Sequence, residues 1–265
     1  MSEPIITLLT DFGCQDGYVA SMKGVILSIA PTAGLIDISH LIEPRDIRSA
    51  AFVLFTCYHF FPANTIHVAI VDPGVGTDRR AIAVRTPSCT MVGPDNGIFS
   101  LVLMREKRWE ARNLDNPGLH LERVSMTFHG RDVFSPVAAH LANGTPFETL
   151  GSLCSPVCSP WIAPIEGVSG IEGEVIHIDR FGNAITNVKR ETLVARAPIE
   201  NWSVQVTAAS NIPIEKTYGR TLPGSILALE GSSGFIEIAV NQGNAASLLG
   251  LQTSSSVGFR LSSAT

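Results

Sequence analysis

The stretch VDPGVGTDRR, Val71 to Arg80, ends an apolar run with a carboxylate and sets two arginines seven and eight residues beyond it. Farther along, TFHGRDVF, Thr127 to Phe134, places His129 ahead of a helical pattern. An aspartate, an arginine and a histidine brought together can hold a water molecule and share its proton. Each also has a plainer use: Asp-Pro-Gly is ordinary turn chemistry, and a single histidine often only fills a core. Two further acidic segments follow strand-like runs. LLTDFGCQDG carries Asp11 and Asp16, and IDISH carries Asp37 and His40. Such carboxylates suit a ligand rich in hydroxyls or positive charge, although Asp16 also fits a helix N-cap. MVGPDNGIF offers Asp95 and Asn96, which could cap the helix that follows. IDRFGNAITN reads as a hairpin with Phe181 at its tip, where an aromatic ring is costly unless it stacks on a flat ligand or packs in an interface.

These residues need a frame. Ile5 to Leu9, Gly34 to Ile38 and Thr65 to Val71 read as buried strands, with helices over Tyr18 to Ile29 and Arg45 to Phe60 between them. Short strands at Ala81 to Arg85 and Thr90 to Val92 and helices at Gly97 to Lys107 and Arg131 to Asn143 continue the alternation. That rhythm predicts a mostly parallel sheet flanked by helices in an α/β domain over residues 1–155. In such sheets ligands collect beyond the carboxyl ends of the strands, and the three segments that carry Asp11, Asp37 and Asp72 all reach that edge. Residues 156–172 are rich in Pro, Ser and Gly, lack either periodicity and read as a linker. From residue 173 to 265 the runs are short and strand-like, predicting a small antiparallel β-barrel or sandwich.

Composition narrows the classes. The 265 residues are 45% hydrophobic and 16% charged, with a net charge of -5 and no basic run, which gives no footprint for nucleic acid or anionic lipid. No apolar stretch reaches the roughly 18 residues that span a bilayer, and the first residues lack a basic segment and a cleavage site; a cytoplasmic protein is the expectation. Five cysteines, with a CSPVC spacing and no second pair, argue against structural zinc and a disulfide framework. There is no Gly-x-Ser-x-Gly elbow, no P-loop and no strand-linked Gly-x-Gly-x-x-Gly, so the common hydrolase and nucleotide-binding motifs are missing.

Taken in order, TDFGCQDGYVASMKGVI, VDPGVGTDRR, GPDNGIFS, TFHGRDVFSPVAAHLANG and IDRFGNAITN resemble the S-adenosyl-L-methionine (SAM) hydrolase family, the SAM hydroxide adenosyltransferases, relatives of fluorinase and chlorinase. A weaker echo lies in GSSGFIEIAVNQGNAASLLG. The resemblance implies hydrolysis of SAM to adenosine and L-methionine, no cofactor, and a homotrimer whose ligand lies between the N-terminal domain of one subunit and the C-terminal domain of its neighbour. It implies a catalytic triad of Asp72, Arg79 and His129, with Arg80 the rival for the arginine role. It places the ribose diol on Asp11, methionine on Asp16, Asp179 and Ser232, and adenine on Phe181 and Asn183. Fluorinase-like members carry a tyrosine where Asp72 stands and Tyr-Ser where His129-Gly130 stands, so the resemblance favours water over halide. Two other readings stay open: a SAM or adenosine sensor without catalysis, and a SAM-dependent halogenase.

Overall fold

A computed structural model describes residues 3–261, which divide into two compact units, one ending at Ser159 and one beginning at Pro160. In the first unit the order is β1 (Ile5–Thr10), α1 (Tyr18–Ile29), β2 (Gly34–Ser39), α2 (Ile47–Cys57), β3 (Thr65–Ile70), β4 (Ala81–Arg85), β5 (Cys89–Pro94), α3 (Ser100–Arg105), β6 (Glu110–Asn113) and α4 (Ser135–Ala142). The strands lie in the order β2-β1-β3-β5-β4-β6. The first four pair in parallel, whereas β4 and β6 join antiparallel. Because β5 inserts between β3 and β4, the chain leaves β3 on one side of β5 and returns as β4 on its other side.

Residue parity assigns the two faces of this sheet, since side chains alternate along a strand. Ile6, Leu8, Ile66, Val68 and Ile70 pack with Met22, Ile26, Phe134 and Val137 of the α1 and α4 side. On the opposite parity, Thr7 Oγ1 meets His67 Nδ1 at 2.7 Å, and the Tyr58 ring, just past α2, stands edge-on to His67. Burial pushes His67 down to about 4. Its folded value lies below the unfolded one, so the unfolded chain takes up the proton first. Stability is therefore complete above about 6.5 and falls as pH drops toward about 4. We expect this one side chain to remove about 2 kcal/mol of stability between roughly pH 7 and pH 5. Urea unfolding at both pH values checks this, and a His67→Gln variant with an unchanged pH dependence would show that another group carries it.

The second unit contains β7 (Ile165–Glu166), β8 (Gly170–Ile178), β9 (Ala184–Lys189), α5 (Arg190–Val194), β10 (Trp202–Val206), β11 (Ala209–Glu215), β12 (Ile226–Glu230), β13 (Phe235–Val240), α6 (Ala245–Leu249) and β14 (Ser256–Leu261). Seven strands close on themselves in the order β14-β10-β11-β12-β13-β9-β8 and back to β14, with β7 added on β8. Closure leaves the barrel strands without free edges. Two details differ from the sequence expectation. The barrel is not wholly antiparallel, because β11 and β12 pair in parallel; the chain between them makes a crossover through a short 3₁₀ turn at Tyr218–Arg220 in place of a hairpin. The passage expected to be a linker is also partly ordered: β7 and the start of β8 fall within residues 156–172.

Candidate active site

Asp72 stands two residues beyond β3, continuing the parity of Val68 and Ile70 toward the side where α4 lies. The loop that follows is tight. Val75 N–H donates to the Asp72 carbonyl at 3.2 Å, Thr77 N–H donates to the Gly74 carbonyl at 3.2 Å, and the Thr77 hydroxyl donates to the same carbonyl at 2.6 Å. Gly76 takes φ +76°, and a Cβ built there would lie 2.3 Å from the Met126 carbonyl oxygen. Only glycine lets this loop close against the segment that leads to His129.

His129 enters a π-helical turn, Gly130–Phe134, that runs into α4. The expected helix over Arg131 to Asn143 thus opens in a wider turn, for which Pro136 supplies a reason. It has no N–H to give the Asp132 carbonyl one turn back, and that carbonyl instead accepts the Leu121 N–H at 3.0 Å. Asp132 itself is fully buried; its carboxylate accepts Arg131 Nε at 2.6 Å and Ser125 N–H at 2.8 Å. The Ser135 hydroxyl donates to the Gly130 carbonyl at 2.7 Å. His129 therefore sits on a well-bonded shelf.

Arg79 bridges the two segments. Its Nε donates to both Asp72 carboxylate oxygens at 2.9 Å, and its Nη2 donates to Asp72 Oδ2 at 2.5 Å and to His129 Nδ1 at 2.7 Å. The Arg79 and Asp72 side chains are only 11% and 5% exposed, and the guanidinium also lies 5.2 Å from the centre of the Phe134 ring. A guanidinium has donors only, so Nδ1 of His129 must be the acceptor, and the neutral ring carries its proton on Nε2. Burial first, and the Arg79 charge second, hold His129 below the ordinary histidine value, against the opposing pull of Asp72 and Asp132. With its accepting nitrogen occupied, His129 presents Nε2–H as a donor. Asp72, whose oxygens retain lone pairs beside the two donors, is the acceptor of the set. The Arg79–His129 contact thus gives Asp72 and His129 opposite hydrogen-bonding roles.

Arg80 points elsewhere. It pairs with the buried carboxylate of Asp95 and donates to the Ser155 carbonyl at 2.7 Å, so Arg79 alone meets Asp72 and His129. Asp11, after β1, accepts the Arg45 N–H at 2.9 Å, with Arg45 at φ +71°. Its neighbour Phe12 joins Tyr18 and Phe128 in a cluster with ring centres 5.2 to 5.9 Å apart, which ties the Asp11 loop to the residue preceding His129. Asp16 is exposed and forms no side-chain cap on α1. Asp37 binds Lys23 Nζ at 2.6 Å and His40 Nε2 at 3.0 Å, and His40 Nδ1 meets Thr10 Oγ1 at 2.8 Å.

In the second unit, Asp179 Oδ1 accepts the N–H groups of Phe181 and Asn183 at 2.9 Å each, and its Oδ2 accepts Asn183 Nδ2 at 2.8 Å. This turn leaves Phe181 75% exposed beside a cavity of about 620 Å³ that Asn183, Tyr218, Asn241 and Asn244 also line. Gly182, at φ +83°, makes room for Asn244, which a Cβ would meet at 2.1 Å. Ser232 lies in the exposed turn between β12 and β13 and is not among the residues that line this cavity. Sequence reasoning did not single out Tyr218, Asn241 or Asn244. The turn-forming Asn-Gln-Gly-Asn stretch was a signal for the last two, whereas nothing around Tyr218 marked it. Among the described residues no group of three or more His, Cys, Asp or Glu side chains could hold a metal ion, all five cysteines carry free thiols, and no helix is long and apolar enough to cross a membrane.

A parallel-rich α/β sheet carrying a part-buried Asp-Arg-His bridge, in one chain with a closed seven-stranded barrel that presents an aromatic beside an amide-lined cavity, defines a two-unit ligand-binding protein of enzyme type. Residues 6–151 match the SAM hydroxide adenosyltransferase N-terminal domain, and residues 173–258 match the C-terminal domain of the same family. The chain belongs to the SAM hydroxide adenosyltransferase family. It is 41% identical over 254 residues to the (R)-S-adenosyl-L-methionine hydrolase of Thermus thermophilus, covering 93% of this chain and 96% of that one. It is 39% identical to the protein of that name from Salinispora arenicola, covering 94% of each. The fluorinase of Nocardia brasiliensis is more distant, 26% identical with 90% of each chain covered. A crystal structure of a conserved protein from Thermotoga maritima superposes with a TM-score of 0.87 at 36% identity, covering 96% of this chain and 99% of that one.

Proposed function

We propose that the protein hydrolyses SAM to adenosine and L-methionine by attack of water on the ribose C5' carbon. The observation that carries this is the Arg79 bridge, which leaves one acceptor, Asp72, and one donor, His129 Nε2–H, on either side of a fixed cation. The names of the relatives with 36 to 41% identity support the same substrate. In the reaction the C5'–S bond breaks as a C5'–O bond forms, the sulfonium leaves as a neutral thioether, and water gives up one proton to solvent through the site. The leaving group needs no acid and the substrate brings its own activation, so no cofactor is called for. What remains is to hold water in line, about 3 to 3.5 Å from the carbon and opposite sulfur. Asp72 accepts a hydrogen bond from that water and draws off its proton. Arg79 offsets the negative charge that develops, in a site shielded from bulk solvent. His129 Nε2–H steadies the oxygen from the other side.

Substrate contacts in this reading follow the family pattern: ribose on Asp11, methionine on Asp16, Asp179 and Ser232, adenine on Phe181 and Asn183. The family resemblance adds a homotrimer with sites completed between subunits, and the exposed Phe181 ring is free for such a contact. A cytoplasmic setting belongs to the same proposal. Turnover of SAM in oxygen-18 water is expected to place one label in the 5'-hydroxyl of adenosine and none in methionine. Adenosine without label, or SAM bound and left intact, would overturn the reading. The relatives' names specify the (R) sulfonium, so both epimers belong in the assay. With chloride or fluoride in excess, no 5'-halonucleoside is expected.

A further inference from the structure

The Asp95-Asn96 pair that follows β5 is not spent on capping α3. Phe99 occupies the N-cap position of that helix and supplies no side-chain cap. Instead, Asn96 Nδ2 donates to the Val71 carbonyl at 2.8 Å, one residue before Asp72. The amide cannot turn over, because its Oδ1 accepts the Ile98 N–H at 3.3 Å. Asp95 reaches the other way. Its N–H donates to the Arg80 carbonyl at 2.9 Å, its Oδ2 takes the Arg80 guanidinium, and its Oδ1 accepts the Val157 N–H at 2.7 Å. The Asp95 side chain is 2% exposed and its Arg80 partner 43%, so the anchor is buried on the carboxylate side and open on the guanidinium side.

The topology explains why one dipeptide can do both. β5 lies between β3 and β4, with its ladders running Val68 to Val92 on one side and Ala81 to Pro94 on the other. The segment from Val71 to Arg80 therefore starts and ends beside the same extension of β5. Gly93 permits the close approach, since a Cβ there would lie 2.2 Å from the Ala69 carbonyl oxygen. We propose that Asn96 and Asp95 are positioning residues that hold the two ends of the Asp72–Arg79 loop and so set the carboxylate against the guanidinium. Neither side chain is assigned contact with substrate. Each acts through the loop's backbone ends and through Arg80.

This rests on the hydrolase reading, and the test separates the two. Asn96→Ala removes the tie to Val71, and Asn96→Asp keeps its shape while losing the donor. Both are expected to lower kcat for SAM on the order of 30-fold to 100-fold, the size that a displacement of about 1 Å can cost, with KM within about twofold. In an Asp72→Asn background the second substitution is expected to cost no more than about twofold, because the group it positions is already gone. A role confined to folding would instead lower the melting temperature, leave kcat of the folded protein near wild type and act additively with Asp72→Asn. The second readout needs no turnover. His129, which faces Arg79, Asp72 and Asp132, is expected to titrate by NMR closer to the ordinary histidine value in both Asn96 variants as Arg79 is released. Full kcat with an unmoved His129 titration would overturn the proposal. If wild-type protein releases no adenosine, the hydrolase reading fails, while the His129 titration still decides whether the loop is held.

Discussion

Asp72→Asn is expected to lower kcat for SAM on the order of 1,000-fold, the range associated with loss of a positioned proton acceptor. The amide occupies the space of the carboxylate and can still accept one hydrogen bond from Arg79 through its oxygen. Its other end is an NH2 group that faces either the guanidinium donors or the water, and neither contact helps. KM for SAM is expected to stay within about threefold, because the substrate contacts proposed above lie on other residues. The substitution also removes a buried partner: Arg79 and Asp72 are 11% and 5% exposed, and breaking such a pair typically costs about 3 kcal/mol or more. Assays therefore belong well below the melting temperature, with folding verified by circular dichroism. A variant that is folded and retains a tenth or more of wild-type kcat would remove Asp72 from the chemistry.

What was legible in the sequence follows from where each signal is stored. The helix read over Tyr18 to Ile29 and the strand read at Ala81 to Arg85 have the bounds that the structure gives, because turn residues stop each of them within the chain itself. β6, with sequence EARN, was invisible: it is four residues long with one fully buried side chain, and it exists because β4 offers it an edge. β11 carries Asn211 and Pro213, residues that seldom mark a strand, and is held by β10 and β12 on its two sides. Asp72 and His129 stood out by residue type and context. The choice between Arg79 and Arg80 did not, because adjacent residues look alike in a string and the choice is made by Asp95, fifteen residues on, at the end of β5. The opposed roles of Asp72 and His129 were hidden too. They depend on which histidine nitrogen the guanidinium reaches, and that is a matter of angles between segments fifty residues apart.

Arg79→Lys keeps the charge and tests whether charge is what matters. The guanidinium makes four contacts at once, three to Asp72 and one to His129 Nδ1, using two of its nitrogens in a fixed plane. An ammonium on a flexible stem is a single point that cannot hold a carboxylate through two nitrogens while donating to an imidazole from a fixed angle. We expect kcat to fall on the order of 100-fold, with the loss in transition-state stabilisation rather than in SAM binding. The pH profile carries the diagnostic part. In the wild type the bridge requires His129 neutral at Nδ1, since protonation turns that nitrogen into a donor facing another donor. Activity is therefore expected to hold as pH falls past the ordinary histidine value of 6.5 and to drop only below it, at the lowered His129 value. With lysine in place, Nδ1 is free of the guanidinium and part of the electrostatic cause of the shift moves away, so the acid limb of kcat/KM should rise toward 6.5 while the burial contribution keeps it from passing that value. A parallel loss across all pH values, with the limb unmoved, would mean that His129 does not depend on Arg79 and that the three side chains do not act as one unit.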